Sequence, residues 1–304
     1  MGVRLFNTPE LTNPDMVIGW PGIGNVGLIA IDILRQQLGA ELFGEVEGWD
    51  FFYPKGLTIR SGLLEELDFP GSKFYFKKLG GKDLIIFIGE EQPAAAGGTY
   101  AQGGKAYQMA GFILDVAQKF GCRRVFTSGA AVALSHHAVK PRVWAVTTRE
   151  ALIAEIRSFE NVVLMGEVEG KGGQGSITGL NGLTLGVAKK RGLDGYCLMG
   201  EVPDYLAQAP FPYPRASKSV LEVVGRILGV NPDAQVLDGV IAQMDDTIEG
   251  IYQKFPDEIR QRIDQRKSAA VVRGETITEE DETWIKDHID DFFRGKGGGN
   301  ERPV

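Results

Sequence analysis

The sequence predicts an α/β protein, a three-layer α/β/α sandwich with a helical C-terminal extension. Two observations carry that expectation. Over the first 230 residues, short apolar runs bounded by glycine alternate with stretches of helical periodicity, the pattern of a parallel or mostly parallel sheet covered on both faces. After Gly229 the strand signals stop and a narrow helical stripe takes over.

Met16-Val17-Ile18 reads as a buried strand, and residues 26–38 as a helix closed by Gly39. That helix is apolar nearly all the way round, with Asp32 the only charge before Arg35, which implies burial on most faces and a closed homo-oligomer. Further strands are expected at 42–46, 74–77, 83–88, 124–127, 143–147, 162–165 and 195–199. Residues 105–120 place Met109, Phe112, Ile113, Val116 and Phe120 on one helical face, and residues 177–191 end in Lys189-Lys190-Arg191 before Gly192, as a helix C-terminus prefers. Beyond 230, Leu237, Ile241, Met244, Ile248, Ile251 and Phe255 are spaced 4, 3, 4, 3, 4, a seam that suits another helix. Thr278 and Asp281 have capping-box spacing and open a second helix through Trp284, Ile285, Ile289, Phe292 and Phe293. The expectation is a core at 1–230, a helical hairpin at 231–294 projecting as an interaction arm, and a flexible tail at 295–304. In that hairpin Ile285, Ile289 and Phe292 meet the seam.

Composition narrows the function. The 304 residues carry 33 Lys+Arg against 40 Asp+Glu, a net charge of −7, with no basic block that would track phosphates, so no nucleic acid is expected as a partner. No apolar run approaches the ~18 residues of a membrane span, and the N-terminus lacks a signal-peptide core. No membrane association is expected, and the cytoplasm is the expected compartment. Cys122 and Cys197 have neither disulfide-framework nor metal spacing and read as core thiols. Glycine is in excess, 41 residues where average usage gives about 21, and clusters at 19–27, 97–104, 166–182 and 295–299.

Gly22-Ile23-Gly24-Asn25-Val26-Gly27 is a literal GxGxxG between strand and helix, with Glu47 where a ribose-binding acid would stand. Pro21 before it and a second strand interrupted by Gly44 and Glu45 argue against a dinucleotide cradle, so the glycines are expected to serve a tight turn and close packing. Gly98 to Ala106 resembles a P-loop with the spacing off by one and Ala106 where Ser or Thr would hold magnesium. Glu90 and Glu201 each follow a strand-ending glycine. With Trp20, Gly22, Gly24, Asn25, Gln92 and Ser128 they form a candidate ligand crevice outside the carboxyl ends of the strands. The bland reading, that these acids stop strands and cap loops, is favoured. His136 and His137 in tandem are expected in a surface loop, and no nucleophile, acid and base set stands out. Neither a metal nor another cofactor is expected.

Several blocks recur together in one family. They are Gly19-Trp20-Pro21-Gly22-Ile23-Gly24-Asn25-Val26-Gly27, Ile88-Gly89-Glu90-Glu91-Gln92-Pro93, Thr127-Ser128-Gly129-Ala130, Gly175-Ser176-Ile177-Thr178-Gly179-Leu180-Asn181-Gly182 and Gly200-Glu201-Val202-Pro203-Asp204-Tyr205. Over about residues 15–230 the chain resembles the proteasome assembly chaperone 2 family. The resemblance implies a sandwich like that of the purine nucleoside phosphorylases without their chemistry, and a non-enzymatic assembly-factor role with a proteasome-like or other protein complex as partner. The number of copies in the homo-oligomer expected from the apolar helix is left open, a trimer or higher ring included. The alternative is an enzyme or sensor binding a nucleoside or nucleotide in the crevice. Docking chaperones resembling this family can end in hydrophobic-Tyr-any, whereas this chain ends Arg302-Pro303-Val304, with proline in place of tyrosine.

Overall fold

The structure, a computed structural model, describes residues 2–93, 103–167, 175–267 and 283. Its strands are β1 (Val3–Leu5), β2 (Asp15–Gly19), β3 (Glu41–Val46), β4 (Gly56–Arg60), β5 (Leu63–Asp68), β6 (Ser72–Lys77), β7 (Leu84–Gly89), β8 (Arg124–Ala133), β9 (Val143–Thr147), β10 (Val162–Leu164) and β11 (Asp194–Pro203). The helices are α1 (Val26–Leu38), α2 (Gly103–Lys119), α3 (Ile153–Arg157), α4 (Gly179–Lys190), α5 (Pro214–Leu228), α6 (Asp238–Tyr252) and α7 (Asp257–Asp264). Nine strands form one sheet in the order β1-β3-β6-β7-β2-β8-β11-β9-β10, and β4 and β5 form a separate hairpin.

The sheet is mixed, which corrects the expectation of a mostly parallel one. Its centre, β7-β2-β8-β11, is parallel, while β1, β3, β6 and β7 pair antiparallel in succession and β9 runs against β11. The cause lies in the connections. Parallel neighbours need a crossover of a dozen or more residues, but only residues 78–83 separate β6 from β7, and residues 134–142 lead from β8 into β9. β3 forms despite Gly44 because a bulge between Leu42 and Gly44 absorbs the irregularity, and a Cβ at Gly44 would stand 2.7 Å from Leu5 Cδ2.

Strand alternation sorts the core into two layers. Val17, Ile86 and Phe126 face α1 and α5, whereas Met16, Ile18, Ile85, Phe87 and Val125 face α2 and α4. The apolar girdle of α1 is answered within the chain. Its Ala30, Ile31 and Leu34 are buried in the layer shared with α5, and Ile29, Ile33 and Leu38 pack against the same layer, so α1 itself demands no second copy. At the base of the sheet, Asp15 is buried and accepts from Arg124 Nε at 3.0 Å and Nη2 at 2.6 Å.

The stripe on α6 also meets the core, which corrects the projecting arm. Leu237, Ile241, Ile248, Ile251 and Phe255 are buried in the cluster that holds Val220, Val224 and Tyr205, with Met244 half-buried. The seam is narrow because helix α5 covers it along one line. Ile285, Ile289 and Phe292 lie outside the described residues. Cys122 and Cys197 are buried, and burial pushes their thiols up to about 12 and about 11. No helix among the described residues is long and apolar enough to cross a membrane.

Candidate functional site

β8 and β11 pair over ten residues, from Asp194↔Arg124 to Pro203↔Ala133, and overrun β2, whose last partner is Ser128. Beyond that point the small β8 residues Gly129, Ala130 and Ala131 form the back wall of a cavity of about 230 Å³. The Trp20–Gly27 loop, Gln92, Trp144, Met165, Met199 and the Ser176–Asn181 segment close the other sides. Four of the five sequence blocks that carry the family resemblance line this cavity, and the fifth, Gly200–Tyr205, follows directly on the lining residue Met199.

Three of the candidate crevice residues, Trp20, Gly22 and Gln92, line this cavity. Gln92 joins its walls, donating from Nε2 to the Pro21 carbonyl at 2.6 Å while its Oε1 accepts from Leu180 N at the start of α4 at 3.1 Å. Trp20 is 1% exposed, its ring against Phe87 and over Gly89, and its indole N–H has no hydrogen-bond partner among the described residues. Asn181 Oδ1 is likewise buried without one.

The other glycines of the GxGxxG motif have packing roles. Gly24 takes φ +56° with Tyr213 so close that a Cβ would stand 2.7 Å from Tyr213 Cβ, and Tyr213 N donates to the Gly24 carbonyl at 2.8 Å. At Gly27 a Cβ would overlap the Ser128 carbonyl oxygen and stand 2.5 Å from its carbonyl carbon. Asn25 is the left-handed residue at φ +49° that turns the loop into α1. Glu47 lies after β3, across β6 and β7 from β2, and accepts from Gly2 N at 3.0 Å. The ribose-binding position of a dinucleotide fold is thus not formed.

The remaining candidates do not enter the cavity, which corrects the proposed convergence. Glu90 follows β7 and Glu201 lies near the end of β11, with β2 and β8 between the two strands, so roughly 14 Å of sheet separates them. Glu90 accepts from Gly71 N at 3.0 Å and Lys55 Nζ at 2.9 Å, contacts that hold its carboxyl below its usual range. Glu201 is buried and accepts from Arg142 N at 3.0 Å, Arg142 Nε at 2.9 Å and Trp144 Nε1 at 2.6 Å. Ser128 is buried beneath α1, its hydroxyl directed at the carbonyls of Ile18 and Gly27.

The tandem histidines are not surface residues. His136 and His137 are buried with ring centroids 4.2 Å apart, held by Tyr205 and Tyr252. Tyr205 Oη lies 2.8 Å from His137 Nδ1, and Glu249 3.3 Å from His137 Nε2. Burial, with each other's proximity second for His136, lowers both, His136 to about 4. This cluster fastens α6 to the end of β8. Alongside it, Arg266 Nη1 donates to Asp204 at 2.6 Å and ties the chain after α7 to the end of β11. The aromatic partners Tyr205, Tyr252 and Phe255 were the available sequence signal. No group of three or more His, Cys, Asp or Glu side chains among the described residues is placed to hold a metal.

The PAC2 family model matches residues 16–251. The chain is similar to the crystal structure of Pyrococcus furiosus PbaB, an archaeal proteasome activator. Identity is 30% with a TM-score of 0.67, covering 82% of this chain and 97% of that one. It is similar to Pyrococcus furiosus PbaA, an archaeal homolog of proteasome-assembly chaperone, at 25% identity and TM-score 0.61, covering 88% and 98%. Uncharacterized protein MJ1210 of Methanocaldococcus jannaschii is 28% identical over 256 residues, 84% of this chain and 89% of its own length.

Proposed function

Because the chain belongs to the PAC2 family, we propose that it is a non-enzymatic protein of assembly-factor or chaperone type, acting by holding other proteins. One observation carries the reading from the structural side. Both strand-end acids are engaged as parts of the scaffold, Glu201 by Arg142 and Trp144 and Glu90 by Gly71 and Lys55, and neither lines the cavity. The similarity to PbaB and PbaA makes a proteasome-like complex the first partner to test. A sandwich related to the purine nucleoside phosphorylases, a cytoplasmic homo-oligomer, and a division into residues 1–230 and 231–294 belong to the same proposal.

The test is co-purification of the full chain with proteasome α-subunits, read by native mass. A stoichiometric complex supports the assembly reading. Absence of any complex, together with turnover of a nucleoside by the same preparation, would sink it. A second reading, a small-molecule site, is favoured by the cavity with its buried Trp20 indole and Asn181 amide oxygen, neither of which has a hydrogen-bond partner among the described residues. Nucleosides that raise the thermal midpoint of the wild type but not of Asn181→Ala would support it; no shift with either protein would remove it.

A further inference from the structure

Between β3 and β6 the chain leaves the sandwich. Residues 49–68 carry Trp49 and Tyr53 at the base of the β4–β5 hairpin and Leu57, Ile59, Leu63 and Leu64 on it, each more than half exposed. Leu57, Ile59 and Leu64 share one face of the hairpin, because Ile59 pairs with Leu64 and Leu57 lies two residues from Ile59 along β4, so that face is an exposed apolar strip. Every residue of β4 is exposed, and the hairpin pairs with no third strand among the described residues. A lone two-stranded hairpin is marginal in water, so this one gains from a cover.

Its two edges differ in what they admit. β5 carries Glu65, Glu66 and Asp68, and self-pairing would bring these acids together, the kind of charge that guards an edge. β4 reads Gly56-Leu57-Thr58-Ile59-Arg60, without an acid and with its only charge at one end. Laid antiparallel against a second copy of itself and centred on Thr58, it sets Thr58 opposite Thr58, Leu57 opposite Ile59, and Arg60 opposite the bare Gly56. Every pair is compatible, the two-fold relation closes the interface, and the apolar faces of both hairpins merge.

We infer that β4 is the seam between two copies of this chain, joined as a four-stranded antiparallel sheet in the order β5-β4-β4-β5 about a two-fold axis through Thr58. The inference rests on the self-association proposed above and names its surface. Thr58→Cys is the direct test. Residues facing each other across such an axis lie about 4.5–5.5 Å apart at Cα, within disulfide range. Mild oxidation of Thr58→Cys should therefore yield a covalent dimer on a non-reducing gel. Val236→Cys, on the exposed turn before α6, should not, and native Cys122 and Cys197 are buried. Ile59→Lys should halve the native mass with the circular dichroism unchanged, because β4 contributes nothing to the nine-stranded sheet. An assembled wild type whose Thr58→Cys variant fails to cross-link, or whose Ile59→Lys variant keeps its mass, overturns the seam and leaves self-association standing. If Ile59→Lys keeps its mass but loses a foreign protein partner, the hairpin belongs to that partner and the inference fails. A wild type monomeric at micromolar concentration overturns both the seam and the homo-oligomer.

Discussion

Gly27→Ala sets two physical effects against each other in one residue. The exchange gains up to about 1 kcal/mol from intrinsic propensity, less here because Gly27 stands in the first turn of α1. Here the new Cβ would stand 2.5 Å from the Ser128 carbonyl carbon, backbone that cannot rotate away, so α1 must lift from β8 by about 1 Å to reach ordinary contact. That displacement loosens Val26, Ala30, Ile31 and Leu34, the buried face of α1. A gap of about 1 Å forfeits up to half of each contact's dispersion energy, and Val26, Ile31 and Leu34 are worth ~1.5–3 kcal/mol each when buried, so the loss is about 2–4 kcal/mol. The net expectation is destabilisation of about 2–3 kcal/mol, read as a lower urea midpoint at unchanged slope. Gly186→Ala is the control, since a Cβ there meets nothing within 4 Å, and it should stabilise α4 by up to about 1 kcal/mol. A Gly27→Ala protein as stable as the wild type would refute the packing account of the GxGxxG motif and reopen the cradle reading.

Glu201→Gln places an amide where Arg142 and Trp144 both donate, and should cost about 2 kcal/mol in urea unfolding; a neutral result would show the carboxylate to be dispensable. His136 and His137 have folded pKa values below their unfolded ones, so the unfolded chain takes up protons first and stability falls as the pH drops from about 6.5 toward 4. The urea midpoint should decline from pH 6.5 to 5, above the range where Glu249 and Asp264 titrate, and His136→Gln should flatten that slope. An identical slope in the variant would assign the effect elsewhere. Cys122 and Cys197, held as neutral thiols by burial, should resist maleimide in the native protein at pH 8 and react only on unfolding; rapid labelling of either would contradict their packing.

The core strands and helices were readable because their signals are local. The run 16–18, the apolar helix closed by Gly39 and the basic end of α4 all sit where their residues place them. Strand direction was not readable, since it depends on whether a connection crosses over, and the 134–142 turn carries no mark of that. The extra lengths of β8 and β11 were hidden as well. Gly129-Ala130-Ala131 and Gly200-Glu201 look like strand ends in isolation, and only their mutual pairing keeps both extended. Glu201 looked like a site residue for the same reason, because its partners Arg142 and Trp144 lie about 60 positions away. The β4–β5 hairpin escaped notice because its leucines are exposed, against the rule that apolar runs mark the core. Helix α5 was passed over although Pro214 at its first turn and Gly229 in the left-handed region after it are ordinary boundary signals.

The long β8–β11 pair also sets an order of events during synthesis. β8 is complete at residue 133, yet its parallel neighbour does not finish until residue 203, after β9, β10 and α4 have been made. At the usual ribosomal pace of about 5–20 residues per second, that leaves β8 with one bare edge for roughly 4–14 s. For this interval the nascent chain presents Val125, Phe126 and Thr127 beside open backbone groups, a template for mispairing. Nascent chains stalled just short of residue 194 should therefore aggregate or recruit holdases, and those stalled far enough beyond 228 for β11 and α5 to clear the exit tunnel should not.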